Sequence, residues 1–117
     1  MTNSPQLALA YITKSPESAS RILASMPADA AAAFIGEIPT LHAVQLVTHL
    51  QAVSAASIMR AVDGKAAAAI FRDLDFAKSS AVVRQMDRAT RNQFLAKLSE
   101  RTRAALEKSL SFAPWTI

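Results

Sequence analysis

The sequence repeats every twelve residues over most of its length, and no other feature restricts the possible folds as strongly. From Ser15 to Leu110, eight units of twelve residues align without a gap. In order, they read SPESASRILASM, PADAAAAFIGEI, PTLHAVQLVTHL, QAVSAASIMRAV, DGKAAAAIFRDL, DFAKSSAVVRQM, DRATRNQFLAKL and SERTRAALEKSL. Such a repeat is typical of an array in which each unit buries its apolar face against its neighbours.

The apolar positions of each unit have the spacing of an α-helix. The eighth and twelfth positions are always apolar, the ninth is apolar in seven units, and the fifth is alanine in the first five. Positions 5, 8, 9 and 12 correspond to i, i+3, i+4 and i+7, which is one face of a helix. The chain also has only two glycines, which favours helix further. Each unit is therefore predicted to form one helix that buries this face.

The unit boundaries carry signals for helix starts. Side chains that can accept a bond from a first-turn N–H stand at the first position of five units, namely Ser15, Asp63, Asp75, Asp87 and Ser99. Pro16 suits the first helical position, and Pro27 and Pro39 mark two further boundaries, because proline fits a first turn and not a helix interior. Helices of about ten residues are marginal alone in water, so they must stack on one another.

The predicted fold class is all-α, a right-handed superhelix of short helices with a twelve-residue repeat, similar to an armadillo array. Residues 1–14 are predicted to form a leading helix that caps the array, residues 15–110 the repeat domain, and residues 111–117 a linker. In the last two units Arg91, Arg103 and Glu107 occupy core positions. We interpret them as a surface for solvent or for a following domain, because terminal units of arrays are usually atypical.

The residues that most enzymes need are scarce. The chain has no cysteine, and its two glycines leave no room for a phosphate-binding loop. The histidines, His42 and His49, stand seven residues apart, whereas helical zinc sites use a spacing of four, so we interpret both as surface residues. We expect a protein that is not an enzyme and holds no tightly bound cofactor.

The sequence also bears on location. No stretch approaches the run of about 18 apolar residues that a membrane helix needs. The start Met1-Thr2-Asn3-Ser4-Pro5 lacks the basic and apolar regions of a signal peptide. We expect a cytoplasmic chain, a description that includes the cytoplasmic part of an inner-membrane protein.

Positive charge is concentrated in the second half of the chain. Residues 1–58 have a net charge of −1 and residues 59–117 a net charge of +5. Arg60, Arg84 and Lys108 share the tenth position of their units, opposite the apolar face, and alternation of the helices would place them in one layer. No aromatic residues are interleaved for base stacking, so we expect no nucleic acid partner. The row is a candidate surface for an acidic partner domain, and the plainer interpretation is a solvated helix face.

Acidic residues are predicted to gather at one edge of the array. If consecutive helices alternate in direction, every second turn lies on the same edge. That edge would carry Asp29, Asp73, Asp75 and Glu100. These carboxylates are candidate ligands for Mg²⁺, which keeps several waters and often takes only one or two carboxylates from a protein. The alternative is that they are helix caps and solvated turn residues.

The repeat resembles the cytoplasmic N-terminal domain of MgtE-type magnesium transporters. The segments MPADAAAAFIGEIP and VDGKAAAAIFRDLD carry this resemblance, which covers Ser15 to Leu110. It extends into the tail, where Phe112, Pro114 and Trp115 are similar to the segment that leads to the first CBS domain in that family. The tail therefore looks like a linker cut just before a pair of CBS domains, and the three residues are candidates for partner contact.

The resemblance implies a regulatory role. In the MgtE family the N-terminal superhelix packs on CBS domains, and Mg²⁺ between them helps to close the transporter. It implies CBS domains and a transmembrane domain of the same full-length protein as partners, Mg²⁺ at an interdomain interface, and a homodimer through the parent protein. A soluble relative with CBS domains alone would also fit. Family members are usually acidic, whereas this chain has a net charge of +4. The alternative is a protein–protein scaffold without an ion role, similar to the flagellar motor protein FliG, which has comparable short-helix repeats.

Overall fold

Short helices joined by tight turns make up the fold. The computed structural model describes residues 4–111 and contains no strand there. The helices within this range are α1 (Ser4–Lys14), α2 (Pro16–Ala24), α3 (Ala28–Glu37), α4 (Thr40–His49), α5 (Ala52–Ala61), α6 (Gly64–Asp73), α7 (Phe76–Arg84), α8 (Arg88–Ala96) and α9 (Glu100–Ser111). Each begins twelve residues after the one before it. The predicted all-helical array with a twelve-residue repeat is confirmed.

Most of the helices pack chiefly on the second-next helix along the chain. α2 packs on α4 and α4 on α6, while α3 packs on α5, α5 on α7 and α7 on α9. The leading helix α1 packs on both α2 and α4. Because the contacts pass from one pair to the next, the array grows along one direction and extends over 51 × 25 × 23 Å.

The predicted helix face forms the core. Large side chains of the eighth and ninth positions are almost completely buried in the middle of the array, and Phe71 meets Phe94 edge-on with ring centroids 4.9 Å apart. The alanines of the fifth position are buried in all of the first five units. The core therefore combines one row of large side chains with one row of small ones.

Small residues at the sixth position allow helices to approach closely. Ser20 is only 2% exposed, and its Oγ donates a hydrogen bond of 2.9 Å to the backbone carbonyl of Leu46. Ala32 and Ala56, at the same position of later units, are also buried. The twelve-residue pattern did not predict this row, because serine and alanine are common on exposed helix faces as well.

The two ends of the array depart from the regular pattern. Ile22 belongs to the predicted apolar face but is 56% exposed, because α2 is the first repeat helix and the leading helix α1 stands where a preceding repeat unit would lie. Among residues 8–14 of α1, for which burial is described, the buried side chain is Ile12. At the other end, Glu107 is exposed, as expected.

Arg91, Arg103 and Glu107 were interpreted as a surface for solvent or for a following domain, and of the three only Glu107 is exposed. Both Arg91 and Arg103 are half-buried. The Nη2 of Arg91 donates to the carbonyl oxygen of Met86 at 3.1 Å, just beyond the end of α7. An arginine can occupy a core position here because its stem packs while its guanidinium satisfies a carbonyl at a helix end.

Three of the five predicted caps form side-chain hydrogen bonds. The side chains of Asp63, Asp87 and Ser99 accept from first-turn N–H groups at 3.1, 2.7 and 3.3 Å. Ser15 and Asp75 occupy N-cap positions without such a bond. At Pro27 and Pro39 the backbone carbonyl accepts the first helical hydrogen bond, from Ala31 and Ala43 respectively. All these boundaries are therefore helix starts, although the side chain is not always the cap.

The Asp87 cap is expected to make stability depend on pH. The backbone N–H of Thr90, then its hydroxyl, and more weakly Arg60 and Arg91 hold the pKa of Asp87 below its usual value. Because the folded pKa is lower than the unfolded one, this stabilisation is present above the unfolded pKa and is lost as the pH falls through the folded value. Carbon-detected NMR titration should show a lowered pKa, and Asp87→Asn should reduce the loss of stability in acid. An Asp87 carboxyl that titrates at or above its usual pKa would contradict the cap.

Candidate functional site

The acidic residues predicted for Mg²⁺ are all exposed. The Oδ1 of Asp29 accepts from the N–H of Ala30 at 2.9 Å, and Asp73 forms an ion pair with Arg72 at 3.5 Å. Within residues 4–111, no three side chains of histidine, aspartate or glutamate come together in a way that could hold a metal ion. For Asp29, Asp73, Asp75 and Glu100, the involvement of a second domain that adds ligands stays a prediction.

The two histidines differ from each other. His49 is exposed, as expected, and lines a surface depression with Lys14 and Glu17 at the start of α2. His42 is half-buried, and its Nδ1 is buried without a hydrogen-bond partner in the protein, as is the Oε1 of Gln45 one turn later. His42 is therefore a surface residue only in part, because α4 packs against helices on more than one side.

The predicted basic row is divided between two places. Its helices α5, α7 and α9 do pack in succession. Arg84 and Lys108 line one groove of about 370 Å³ together with Phe76, Ala105 and Ser109. Arg60 lies elsewhere, in a depression that it shares with α8 residues such as Thr90, and with Lys97 at the end of that helix. The structure therefore joins two of the three predicted cations and separates the third.

We call the first of these surfaces the α7–α9 groove, which is defined by Phe76, Arg84, Ala105, Lys108 and Ser109. Phe76 stands at the first residue of α7 and is 49% exposed. The sequence offered one signal for it: Phe76 is the only aromatic residue of the repeat region that lies outside the eighth and ninth positions. The groove thus combines an aromatic surface with two positive charges.

Hydrogen bonds fix the walls of this groove. The Nη2 of Arg84 donates to the backbone carbonyl of Ser109 at 3.0 Å, which connects the end of α7 with the last turn of α9. The hydroxyls of Ser80 and Ser109 lie 2.6 Å apart and form a second bond between the same helices. Arg84 is therefore held in place, while its guanidinium retains further N–H donors.

A second surface lies at the other end of the array. Tyr11, Ile22, Met26 and Phe34 are among the residues that line an open apolar cavity of about 300 Å³ between α1 and the helices from α2 to α4. The exposed Ile22 lies at its wall. This cavity was not predicted, because it arises from the different packing of α1.

The predicted contact residues of the tail, Phe112, Pro114 and Trp115, lie outside the residues that the structure describes. The last described side chain, Leu110, is half-buried against the core.

Comparison with protein-family models shows to which family this chain belongs. The model of the MgtE intracellular N domain matches residues 14–114. The chain belongs to the MgtE intracellular N domain family. The match covers α2 to α9 and reaches beyond them, so the membership rests on the whole repeat and not on a single motif. The resemblance inferred from the sequence is confirmed.

Other comparisons add nothing to the MgtE assignment. Searches of curated proteins and of solved structures gave no match. Within the described part of the chain, no helix combines the length and the apolar character that crossing a bilayer requires. The MgtE intracellular N domain is not an enzyme family.

Proposed function

We propose that this chain is the cytoplasmic regulatory module of an MgtE-like magnesium transporter, or of a CBS-containing relative without the membrane part. It packs on CBS domains and helps to sense or gate divalent cations. The observation that carries this proposal is the match of the MgtE intracellular N domain to residues 14–114. Magnesium transport is the activity that this family implies.

The surface of the array supports a role in docking. Large apolar side chains remain exposed at several sites of the described chain, among them Leu41 and Val53. The α7–α9 groove adds an exposed aromatic residue, Phe76, to a surface that Arg84 and Lys108 also line. A stack of short helices with a rigid core is suited to hold such surfaces in a fixed arrangement.

The proposal predicts weak or absent Mg²⁺ binding to this chain alone. It carries nine Asp and Glu against thirteen Lys and Arg, and Mg²⁺ gives up its water reluctantly. Calorimetric titration should therefore show little heat with the 117-residue chain. Strong Mg²⁺ binding should appear when the chain is joined to its CBS domains, and Asp73→Asn with Asp75→Asn should weaken it.

The same titration separates the proposal from the scaffold alternative. A scaffold without an ion role predicts that Mg²⁺ has no effect on the joined protein either. Tight binding to the isolated chain would contradict the interdomain site, because it would require ligands that the described residues do not bring together. A suitable control is Glu17→Gln, an exposed carboxylate outside the proposed acidic edge, which should leave the Mg²⁺ affinity unchanged.

A further inference from the structure

The α7–α9 groove joins an apolar surface to a cation that is held in place. Its apolar part is formed by the ring of Phe76, which is 49% exposed, and by the exposed Ala105. Arg84 lines the same groove, and its hydrogen bond to the carbonyl of Ser109 fixes its guanidinium. A fixed, planar guanidinium can stack on an aromatic ring with little further loss of side-chain freedom. The groove therefore suits an aromatic side chain.

The chain continues from this groove into a segment of matching chemistry. Residues 112–117, which follow the described range, read FAPWTI and contain no charged side chain. Phe112 and Trp115 in this segment are two of the seven aromatic residues of the chain. Large apolar rings gain free energy when they leave water, so this segment needs a surface to cover.

The spacing along α9 directs the segment toward the groove. The α9 side of the groove is formed by residues 105, 108 and 109. Together with residue 112 they have the spacing i, i+3, i+4 and i+7, which is one face of a helix. Phe112 therefore continues the face of α9 that lines the groove.

The segment is also long enough for its second ring to reach the groove. Pro114 cannot continue a helix, because it lacks an N–H and clashes with the preceding turn, so the chain can change direction there. Trp115, four residues after Ser111, can lie up to about 14 Å from it in an extended chain. The stretch of α7 between Phe76 and Arg84 is only about 12 Å long. Both rings can therefore lie over the groove.

We infer that residues 112–117 fold back on the α7–α9 groove of the same chain, with their aromatic rings on Phe76, Ala105 and Arg84. A segment tethered beside the groove has a high effective concentration there, on the order of millimolar for a short flexible connection, so it covers the groove ahead of a separate partner. The docked segment fixes the direction in which the chain leaves the array. This goes beyond the proposed function: if CBS domains follow, they are held near α9 and not on a free tether.

Trp115 is the only tryptophan of the chain, so its fluorescence reports on this docking directly. Acrylamide should quench Trp115 less in the folded 117-residue chain than in the same chain unfolded by urea. Phe76→Ala removes the ring of the groove, and Ala105→Glu places a charge in its apolar part. Each should raise the quenching constant by about twofold or more, because the loss of an aromatic contact changes the docked population by that order.

Ala104→Glu is the matched control for Ala105→Glu. Ala104 precedes Ala105 in α9 and is also exposed, but it does not line the groove. Helix, substitution and added charge are thus the same, and the quenching constant should stay unchanged. Tyr11→Ala, which removes an exposed aromatic ring at the other end of the array, should have no effect either. Thermal melts show whether each variant is folded, and Phe76→Ala keeps the test valid if Ala105→Glu unfolds the chain.

Three results would overturn the inference. Equal quenching of Trp115 in the folded and the unfolded chain would show that the ring is not docked. Equal effects of Ala104→Glu and Ala105→Glu would show that the ring does not lie in the groove. Protection of Trp115 that increases with protein concentration and is lost in Tyr11→Ala would place the segment in the apolar cavity of a second copy. The assay contains no Mg²⁺, so its failure and the failure of the regulatory proposal are independent of each other.

Discussion

Replacement of Leu46 by alanine should destabilise the chain by about 2–5 kcal/mol, the usual cost of a large-to-small change in a packed core. Leu46 is 1% exposed and lies at the eighth position of its unit, in the middle of α4. That helix packs on α1, α2 and α6, so a cavity at Leu46 would be shared by several helices and could not collapse easily. Denaturant unfolding followed by circular dichroism gives the free energy.

The same helix provides a matched control. Leu41 is 69% exposed, and Leu41→Ala should change the free energy of unfolding by less than about 0.5 kcal/mol. Both substitutions remove the same atoms from the same helix, so helix propensity cancels between them. Equal losses for Leu41→Ala and Leu46→Ala would show that the apolar face assigned to the repeat is incorrect.

Enlargement of the small fifth position should be harmful too. Ala55 is 0% exposed, and Ala55→Leu should cost about 1–3 kcal/mol or more, because additional methylenes force packed side chains and backbone apart. α5 packs on both α3 and α7, so the added side chain meets neighbours in two directions. Urea unfolding monitored by circular dichroism measures this loss.

Ala61→Leu is the control for this substitution. Ala61 ends the same helix and is exposed, so the larger side chain should be accepted with a change below about 0.5 kcal/mol. An Ala55→Leu variant as stable as the unchanged chain would mean that the helices are farther apart than in the structure. The close approach of α2 and α4, shown by the hydrogen bond from Ser20 to Leu46, would then not extend to the other helix pairs.

The regular part of this fold was predictable because each unit has the same apolar helix face to bury and the same kind of helix-start signal at its boundary. The i, i+3, i+4, i+7 face and the boundary residues predicted where the helices begin, and the helices from Pro16 to Ser111 follow them. The exceptions fall where one unit differs from the others. Ile22 lacks a regular preceding helix, and Arg91 reaches a carbonyl across the turn after α7.

Surfaces were harder to predict than the core. The position of a residue within its twelve-residue unit shows which face of the helix the residue occupies. It does not show which neighbouring helix forms a groove with that face. Arg60, Arg84 and Lys108 have the same position in their units, yet only Arg84 and Lys108 meet in the α7–α9 groove. Phe76 is half-exposed because of how α7 packs against α9. The spacing of residues along the chain does not specify this packing.

The central claim is that this helical array is a regulatory module whose docking responds to Mg²⁺. It is tested most directly by hydrogen exchange on the chain joined to its CBS domains, measured with and without Mg²⁺. The account predicts that Mg²⁺ slows exchange at the turns that carry Asp29, Asp73, Asp75 and Glu100, while amides of the buried core, for example in α5, exchange at unchanged rates. Identical exchange in both conditions at these turns would contradict it and would favour a scaffold without an ion role.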